Sequence, residues 1–287
     1  MKKTILVTGA NGQLGNEIRA IATSFPSLNI LFAGKDELNI TNREAVRKYF
    51  IDNEPKAVIN CAAYTAVDKA ESEQEAATLV NATATGYLAE ACNLINIPFI
   101  HVSTDFVFDG KKAQPYLETD ETNPLGVYAK SKLEGEILAL KNHTKTIIVR
   151  TSWVYSSYGN NFVKTMLRLG NERPELRVVN DQFGCPTYAR DLADALLKIT
   201  LLSDALKPWG IYHFSNEGEI SWFDFAKEIF LLKGIETPVH PISTAQFPTP
   251  AKRPAYSVMS KQKIIKTFGI HPKLWKQSLA ECLKLIN

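Results

Sequence analysis

The sequence predicts an α/β fold: a Rossmann-like, doubly wound parallel sheet with a smaller, interleaved C-terminal substrate lobe. Three observations predict it. Short aliphatic runs alternate with helical patterns through the first half of the chain. The first run ends in a glycine-rich turn, T-G-A-N-G-Q-L-G at 8–15. After Ser152 the alternation loses its regularity. Alternation of this kind implies parallel strands joined by right-handed crossovers, with helices on both faces.

Strands are predicted at 3–9, 29–34, 57–63, 98–104 and 146–152, each short and aliphatic. Thr41 and Glu44 read as a capping box before a helix whose face carries Ala45, Val46, Tyr49 and Phe50. Ser72 and Glu75 read the same way for a long helix reaching Asn93, with Ala76, Leu79, Val80, Tyr87, Leu88 and Ala91. Another helix opens near Tyr128, between the fourth and fifth strands. Beyond Ser152 the pattern predicts a helix at 162–171, a strand at 176–180 and a helix at 188–202. A strand at 211–215, a helix opened by Ser221 and Asp224, and a strand at 239–242 follow. A Pro-rich loop at 247–254 then precedes two last helices. We expect residues 1–152 to form the dinucleotide-binding domain and 153–287 mainly the substrate lobe. Later elements near 176–205 and 238–243 are expected to return to the first domain.

Composition narrows the function classes. Lys and Arg total 33 against 30 acidic residues, a net charge of +3, and no basic run exceeds a doublet. That argues against a nucleic-acid surface. Lys2-Lys3 ahead of Ile5-Leu6-Val7 faintly suggests a secretion signal, but the apolar stretch ends after three residues in Thr8-Gly9. No segment approaches the ~18 apolar residues that span a bilayer, so a cytoplasmic protein is expected. Cys61, Cys92, Cys185 and Cys282 are far apart with no C-x-x-C pair, which argues against a zinc site or a disulfide framework.

The chemistry begins at the glycines. Gly9, Gly12 and Gly15 follow a G-x-x-G-x-x-G spacing, which departs from the usual G-x-G-x-x-G fingerprint. At a strand-to-helix junction such a turn lets backbone N–H groups reach a pyrophosphate, aided by the helix dipole. After the second strand, Lys35 suits a 2′-phosphate and Asp36 a 2′-hydroxyl, so NADPH or NADH is expected, with a lean to NADPH. Tyr128 and Lys132 lie one helical turn apart and share a face. Chance alone would supply about one such pair in a chain with ten tyrosines; its position in a nucleotide-binding pattern gives it meaning. An ordinary phenol ionises near pH ~10, and each unit of depression needs ~1.4 kcal/mol. An adjacent ammonium is expected to supply that and make Tyr128 a proton donor to a ketone accepting hydride.

Ser103, Thr104 and Asp105 end the fourth strand at the carboxyl edge, where open α/β sheets bind ligands. A hydroxyl there suits hydrogen bonding to a substrate oxygen as charge develops. Tyr64 to Lys69 and Ser152 to Tyr155 follow other strands into the same region. Trp153 serves either substrate contact or packing, and Arg253 either a phosphate or the surface.

Taken together, these blocks resemble the extended short-chain dehydrogenase/reductases, and within them the dTDP-4-dehydrorhamnose reductase family. The resemblance rests on the 8–15 turn, N-C-A-A-Y-T-A-V-D-K-A-E at 60–71, S-T-D-F-V-F-D-G at 103–110 and Tyr128-x-x-x-Lys132. R-T-S-W-V-Y at 150–155 and N-D-Q-F-G-C-P-T at 180–187 extend it over nearly the whole chain. It implies reduction of the C4 ketone of dTDP-4-dehydro-β-L-rhamnose to dTDP-L-rhamnose. Tyr128 would be the proton donor, Lys132 its electrostatic partner and ribose anchor, and Thr104 the hydroxyl on the keto oxygen. Asp105 and Trp153 would contact the sugar. Gly9, Asn11, Gly12, Gln13, Leu14 and Gly15 would take the pyrophosphate region. Asn39 and Ile40 would take the adenosine side, and Ala62, Ala63, Tyr64 and Thr65 the nicotinamide side. Some relatives pair through a divalent cation; Glu17 is available, but Arg190 stands where a second acid would be wanted, so no metal site is predicted. A monomer or homodimer is expected. The competing readings are another sugar-nucleotide epimerase or reductase of this superfamily, and a non-catalytic cofactor-binding regulatory subunit.

Overall fold

The computed structural model describes residues 2–286. β1 (Lys3–Thr8) leads through the glycine turn into α1 (Gln13–Ile21), and β2 (Leu28–Ala33) is followed by α2 (Arg43–Asn53). After β3 (Val58–Asn60) come two short helices, α3 (Val67–Ala70) and α4 (Gln74–Thr78). A π-helical stretch, Leu79–Thr83, joins α4 to α5 (Ala84–Leu94). β4 (Phe99–Thr104), α6 (Val127–Asn142) and β5 (Thr146–Thr151) complete the regular half.

The second half holds β6 (Val154–Tyr155), α7 (Phe162–Glu172), β7 (Leu176–Val179), β8 (Phe183–Gly184), β9 (Thr187–Tyr188) and α8 (Ala189–Leu206). β10 (Gly210–His213), β11 (Ile220–Ser221), α9 (Trp222–Lys233), β12 (Val239–Ile242), α10 (Gln262–Phe268) and α11 (Trp275–Leu283) follow.

Six parallel strands form the main sheet in the order β2-β1-β3-β4-β5-β10. Alternation along each strand divides the apolar side chains between its two faces. Ile5, Val7, Ile147 and Val149 pack with Leu14 and Ile18 of α1, Leu192 and Leu196 of α8, and Ile264 of α10. Leu6, Val58 and Ile148 pack on the other face with Val46 and Phe50 of α2, Leu88 of α5 and Ala139 of α6. A separate core gathers Tyr155, Met166, Val178, Phe225, Ile229, Trp275 and Leu279 into the smaller lobe.

The expected return of the chain to the first domain is corrected in part. β7 and β12 do not rejoin the main sheet; they pair with each other in parallel, Leu176 opposite Val239. Their inward residues Leu176 and Val178 belong to the lobe core, so joining the main sheet would strip them of their partners. The elements that return are α8, β10, which pairs with β5, and α10, whose Ile264 joins the same core. The two lobes are thus interleaved.

Two caps also differ. Asn42, not Thr41, caps α2, its Oδ1 accepting the Ala45 N–H, because Asn39 holds the Thr41 N–H and hydroxyl in a turn of its own. Ser72 caps nothing; its hydroxyl donates to the Lys69 carbonyl, while the long helix expected there runs without a gap from Gln74 to Leu94, its middle turn being π-helical. The Ser221–Asp224 capping box is present as expected.

Between β1 and β3 the strand order reverses direction, and the carboxyl ends of those strands flank the crevice that open α/β sheets use for ligands. The glycine turn and residues 61–65 lie there. Gly9 has φ +66°, and a Cβ on it would lie 2.5 Å from the Ala62 nitrogen. The two loops approach backbone to backbone, which requires glycine at that turn.

Candidate active site

At the mouth of the crevice, α1 begins at Gly12 with no side-chain cap. The first N–H groups of a helix have no intrahelical partner, and with the dipole they form an anion site. Around Gly12 the space is open: a Cβ added there would have the Gly9 carbonyl oxygen, at 3.3 Å, as its nearest neighbour. These groups fit a dinucleotide pyrophosphate. Gln13 is already engaged, its Oε1 accepting from Asn161 Nδ2 at 2.9 Å.

On the opposite wall, the loop after β3 is pinned by a residue the sequence reading missed. Asn81 Oδ1 accepts the Tyr64 N–H at 2.8 Å, and its Nδ2 donates to the Tyr64 carbonyl and to Ser131 Oγ. One buried amide therefore ties that loop to α6. Tyr64 turns its hydroxyl to Glu73 at 2.6 Å. Asn39 is exposed and Ile40 buried, both in the turn between β2 and α2.

Thr104, Asp105 and Tyr128 come together at the end of β4. Tyr128 sits in the first turn of α6, edge-on to Phe106 with ring centroids 5.9 Å apart. The residue is half-buried by surface, yet its phenol lies deep enough for burial to push it up to about 12; a hydrogen bond with Thr104 opposes the shift and the Asp105 charge adds to it. Asp105 is buried, and burial pushes its carboxyl up to about 7 against hydrogen bonds from Ser257 and Thr104. Thr104 donates to Asp105 Oδ1 at 3.1 Å and accepts from the Phe106 N–H.

Lys132 departs from expectation. The Tyr128 phenol is pushed up to about 12, first by burial, where an ammonium was expected to lower it. Nζ instead turns inward, donating to the Val102 carbonyl at 2.7 Å and lying 3.2 Å from His101 Nε2. Burial pushes the lysine down to about 8, while Glu136 and Cys61 pull it back up. One turn further along α6, Glu136 meets Arg150 of β5 in an ion pair at 2.7 Å with both side chains 2% exposed. Ser103 donates to the same carboxylate.

The remaining candidates have structural partners. Trp153 stacks on Trp222 at 3.5 Å between ring centroids and 9° between planes, with backbone φ +47°. A non-glycine residue in that region is strained, and such strain clusters at functional sites. Arg253 forks onto Asp68, Nη2 to Oδ2 at 2.7 Å and Nη1 to Oδ1 at 3.1 Å, tying the Pro-rich loop to α3. Glu17 is fully buried, accepting from Ser156 and paired with Arg190. That pairing commits its charge within the chain.

Residues 1–287 match the family model described as the RmlD substrate binding domain. The chain belongs to that family. Among relatives of this RmlD-family protein, a dTDP-4-dehydrorhamnose reductase from Aggregatibacter actinomycetemcomitans is 46% identical over 285 residues, covering 96% of each chain. The crystal structure of a dTDP-4-dehydrorhamnose reductase from Clostridium acetobutylicum is 45% identical and superposes with a TM-score of 0.93 over 98% of this chain and 99% of that one. A Bacillus anthracis dTDP-4-dehydrorhamnose reductase solved in complex with NADP is 39% identical, with a TM-score of 0.94 over 99% of each chain. The RmlD-family chain is thus an α/β oxidoreductase in sequence and in fold.

Proposed function

We propose that this chain reduces the C4 ketone of dTDP-4-dehydro-β-L-rhamnose, giving dTDP-L-rhamnose, with a reduced nicotinamide dinucleotide as coenzyme. The observation that carries the reading is the meeting of Thr104, Asp105 and Tyr128 at the carboxyl end of β4, beside an uncapped helix N-terminus. When bound, the coenzyme supplies hydride to the carbonyl carbon. Tyr128 supplies the proton. A phenol held at about 12 keeps that proton at neutral pH, yet surrenders it to an alkoxide, which is far more basic. Thr104 stands next to it to hydrogen-bond the same oxygen as charge grows.

Backbone N–H groups at Gln13 and Leu14 would hold the pyrophosphate, with Gly9, Asn11, Gly15 and Gly12, whose own N–H donates to the Gly9 carbonyl at 3.0 Å, shaping the turn. Asn39 and Ile40 would border the adenosine, and Ala62, Ala63, Tyr64 and Thr65 the nicotinamide. Lys132 would anchor the ribose after turning outward from His101. Asp105 and Trp153 would meet the sugar. Exposed Lys35 at the end of β2 supports NADPH over NADH, although Asp36 stands beside it. No described helix is long and apolar enough to cross a membrane, and we place the reaction in the cytoplasm, carried out by a monomer or homodimer.

The test is NAD(P)H oxidation by the purified chain with dTDP-4-dehydro-β-L-rhamnose, followed by identification of the product sugar. Turnover to dTDP-L-rhamnose is expected, with the higher kcat/KM for NADPH. Coenzyme binding without turnover would leave a regulatory subunit, and an epimerised or unreduced sugar would indicate a different superfamily reaction.

A further inference from the structure

Lys132 reaches into a line of buried polar groups that the proposed reaction does not use. Thr8 on β1, Asn60 on β3 and His101 on β4 are all fully buried, and Lys132 is 2% exposed. The Thr8 hydroxyl donates to Asn60 Oδ1 at 2.6 Å, and the Ala62 backbone N–H donates to the same oxygen at 3.1 Å. A backbone N–H can only donate, so it fixes which way the Asn60 amide faces. Asn60 Nδ2 must then be the atom 3.0 Å from His101 Nδ1, and it donates to that nitrogen.

The consequence passes through the imidazole. Burial and the nearby lysine hold His101 well below the usual histidine range, so the ring is neutral. With Nδ1 accepting, its one proton sits on Nε2. Nε2–H therefore points at Lys132 Nζ, 3.2 Å away. An ammonium has no lone pair to receive it; a neutral amine does.

We propose that Asn60 and His101 are positioning residues that present an N–H to Lys132, favouring its neutral amine in the inward pose and its release toward Tyr128 on protonation. Other groups oppose them. Glu136 on α6, itself paired with Arg150 of β5, and Cys61 after β3 both favour the charged lysine. The Val102 carbonyl accepts from either form. Tyr128, one turn earlier on α6, and Asp105, at the end of β4, are neighbouring titratable groups that act on each other. The inference rests on the roles given to Tyr128 and Lys132 above, and it makes the imidazole tautomer the setting for the alkaline limb of activity.

Nitrogen-15 NMR of the intact chain distinguishes the two neutral tautomers, and the sequence has only five histidines. The expected result is Nε2–H at His101 across neutral pH. Asn60→Asp keeps an acceptor for Thr8 and Ala62 but accepts from Nδ1–H, reversing the tautomer. The lysine titration, followed with carbon-13 labelled at Cε, should then move up by about one pH unit or more, a tenfold gain in proton affinity. His101→Phe adds no charge and should move it the same way. The alkaline limb of kcat/KM should follow both. An Nδ1–H tautomer in the unaltered chain would overturn the proposal, as would a rise in Asn60→Asp alone or an unmoved lysine in both variants. These signals need no turnover, so an inactive chain would count against the proposed reaction and leave this test intact.

Discussion

Removing Arg150 is the sharpest test of how the interior behind the site is held. Its guanidinium grips Glu136 with three hydrogen bonds, Nη2 to Oε2 at 2.7 Å and Nε to Oε1 at 3.0 Å and to Oε2 at 3.2 Å. Both side chains are 2% exposed, so water screens neither charge. In Arg150→Met the Glu136 carboxylate keeps one donor, Ser103. Breaking a buried pair from one side typically costs about 3–5 kcal/mol, because the other charge stays buried and uncompensated. At about 2 °C per kcal/mol for a chain of this size, the melting temperature should fall by about 6–10 °C. Adding Glu136→Gln removes the stranded charge while its amide oxygen still accepts from Ser103. The double variant should recover at least half of the loss. Calorimetry on the four chains closes the cycle. A single variant within about 1 kcal/mol of the parent, or a double variant no more stable than Arg150→Met, would refute the reasoning.

Three other outcomes follow from the same geometry. Tyr128→Phe should lower kcat by about 10²–10⁴-fold, the usual contribution of a general acid, with coenzyme affinity by fluorescence titration unchanged; undiminished turnover would remove Tyr128 as proton donor. The Asp105 carboxyl, raised to about 7, makes the folded chain bind a proton the unfolded chain releases near pH 4, so its contribution to stability is present at low pH and fades as pH rises toward 7. Asp105→Asn should flatten that decline in denaturation curves across this window, and parallel curves would refute the assignment. Gly135→Ala would place a methyl against the Asn81 carbonyl oxygen. A loss of about 1–3 kcal/mol is expected from such overpacking, with a raised KM for coenzyme as Asn81 loses its hold on Tyr64, and a neutral result would mean that the π-helical stretch yields freely.

The central sheet was legible because its strands are short, mostly aliphatic runs separated by helical patterns, and the turn after β1 because close backbone contact requires its glycine. The pairing of β7 with β12 was not. Those strands are four residues each and about sixty apart, and a local pattern carries no address for a distant partner. The α2 cap was misread for a local reason: Asn39 competes for Thr41 and leaves the role to Asn42. At the site, the groups with unusual chemistry in isolation, Tyr128, Lys132, Thr104 and Asp105, stood out by type and spacing. Asn60, Asn81, His101 and Glu136 did not, since a polar residue inside an apolar run looks like a lapse in the pattern until its partner is known. Buried as they are, such groups persist only when satisfied.

One helix face explains why the visible pair and the hidden network belong together. Tyr128, Ser131 with Lys132, and Gly135 with Glu136 recur at spacings of three and four along α6, so they share a side. That side meets the sheet and the π-helical stretch: Ser131 takes the Asn81 amide, Lys132 reaches His101, Gly135 lets the Asn81 carbonyl approach and Glu136 takes Arg150. A helix that buries polar groups on its inner face cannot be positioned by apolar contact alone. Its register is set by these directional bonds, and a slip by one residue would break all of them at once. The phenol at its first turn is therefore held in place from behind, by groups that never meet the substrate.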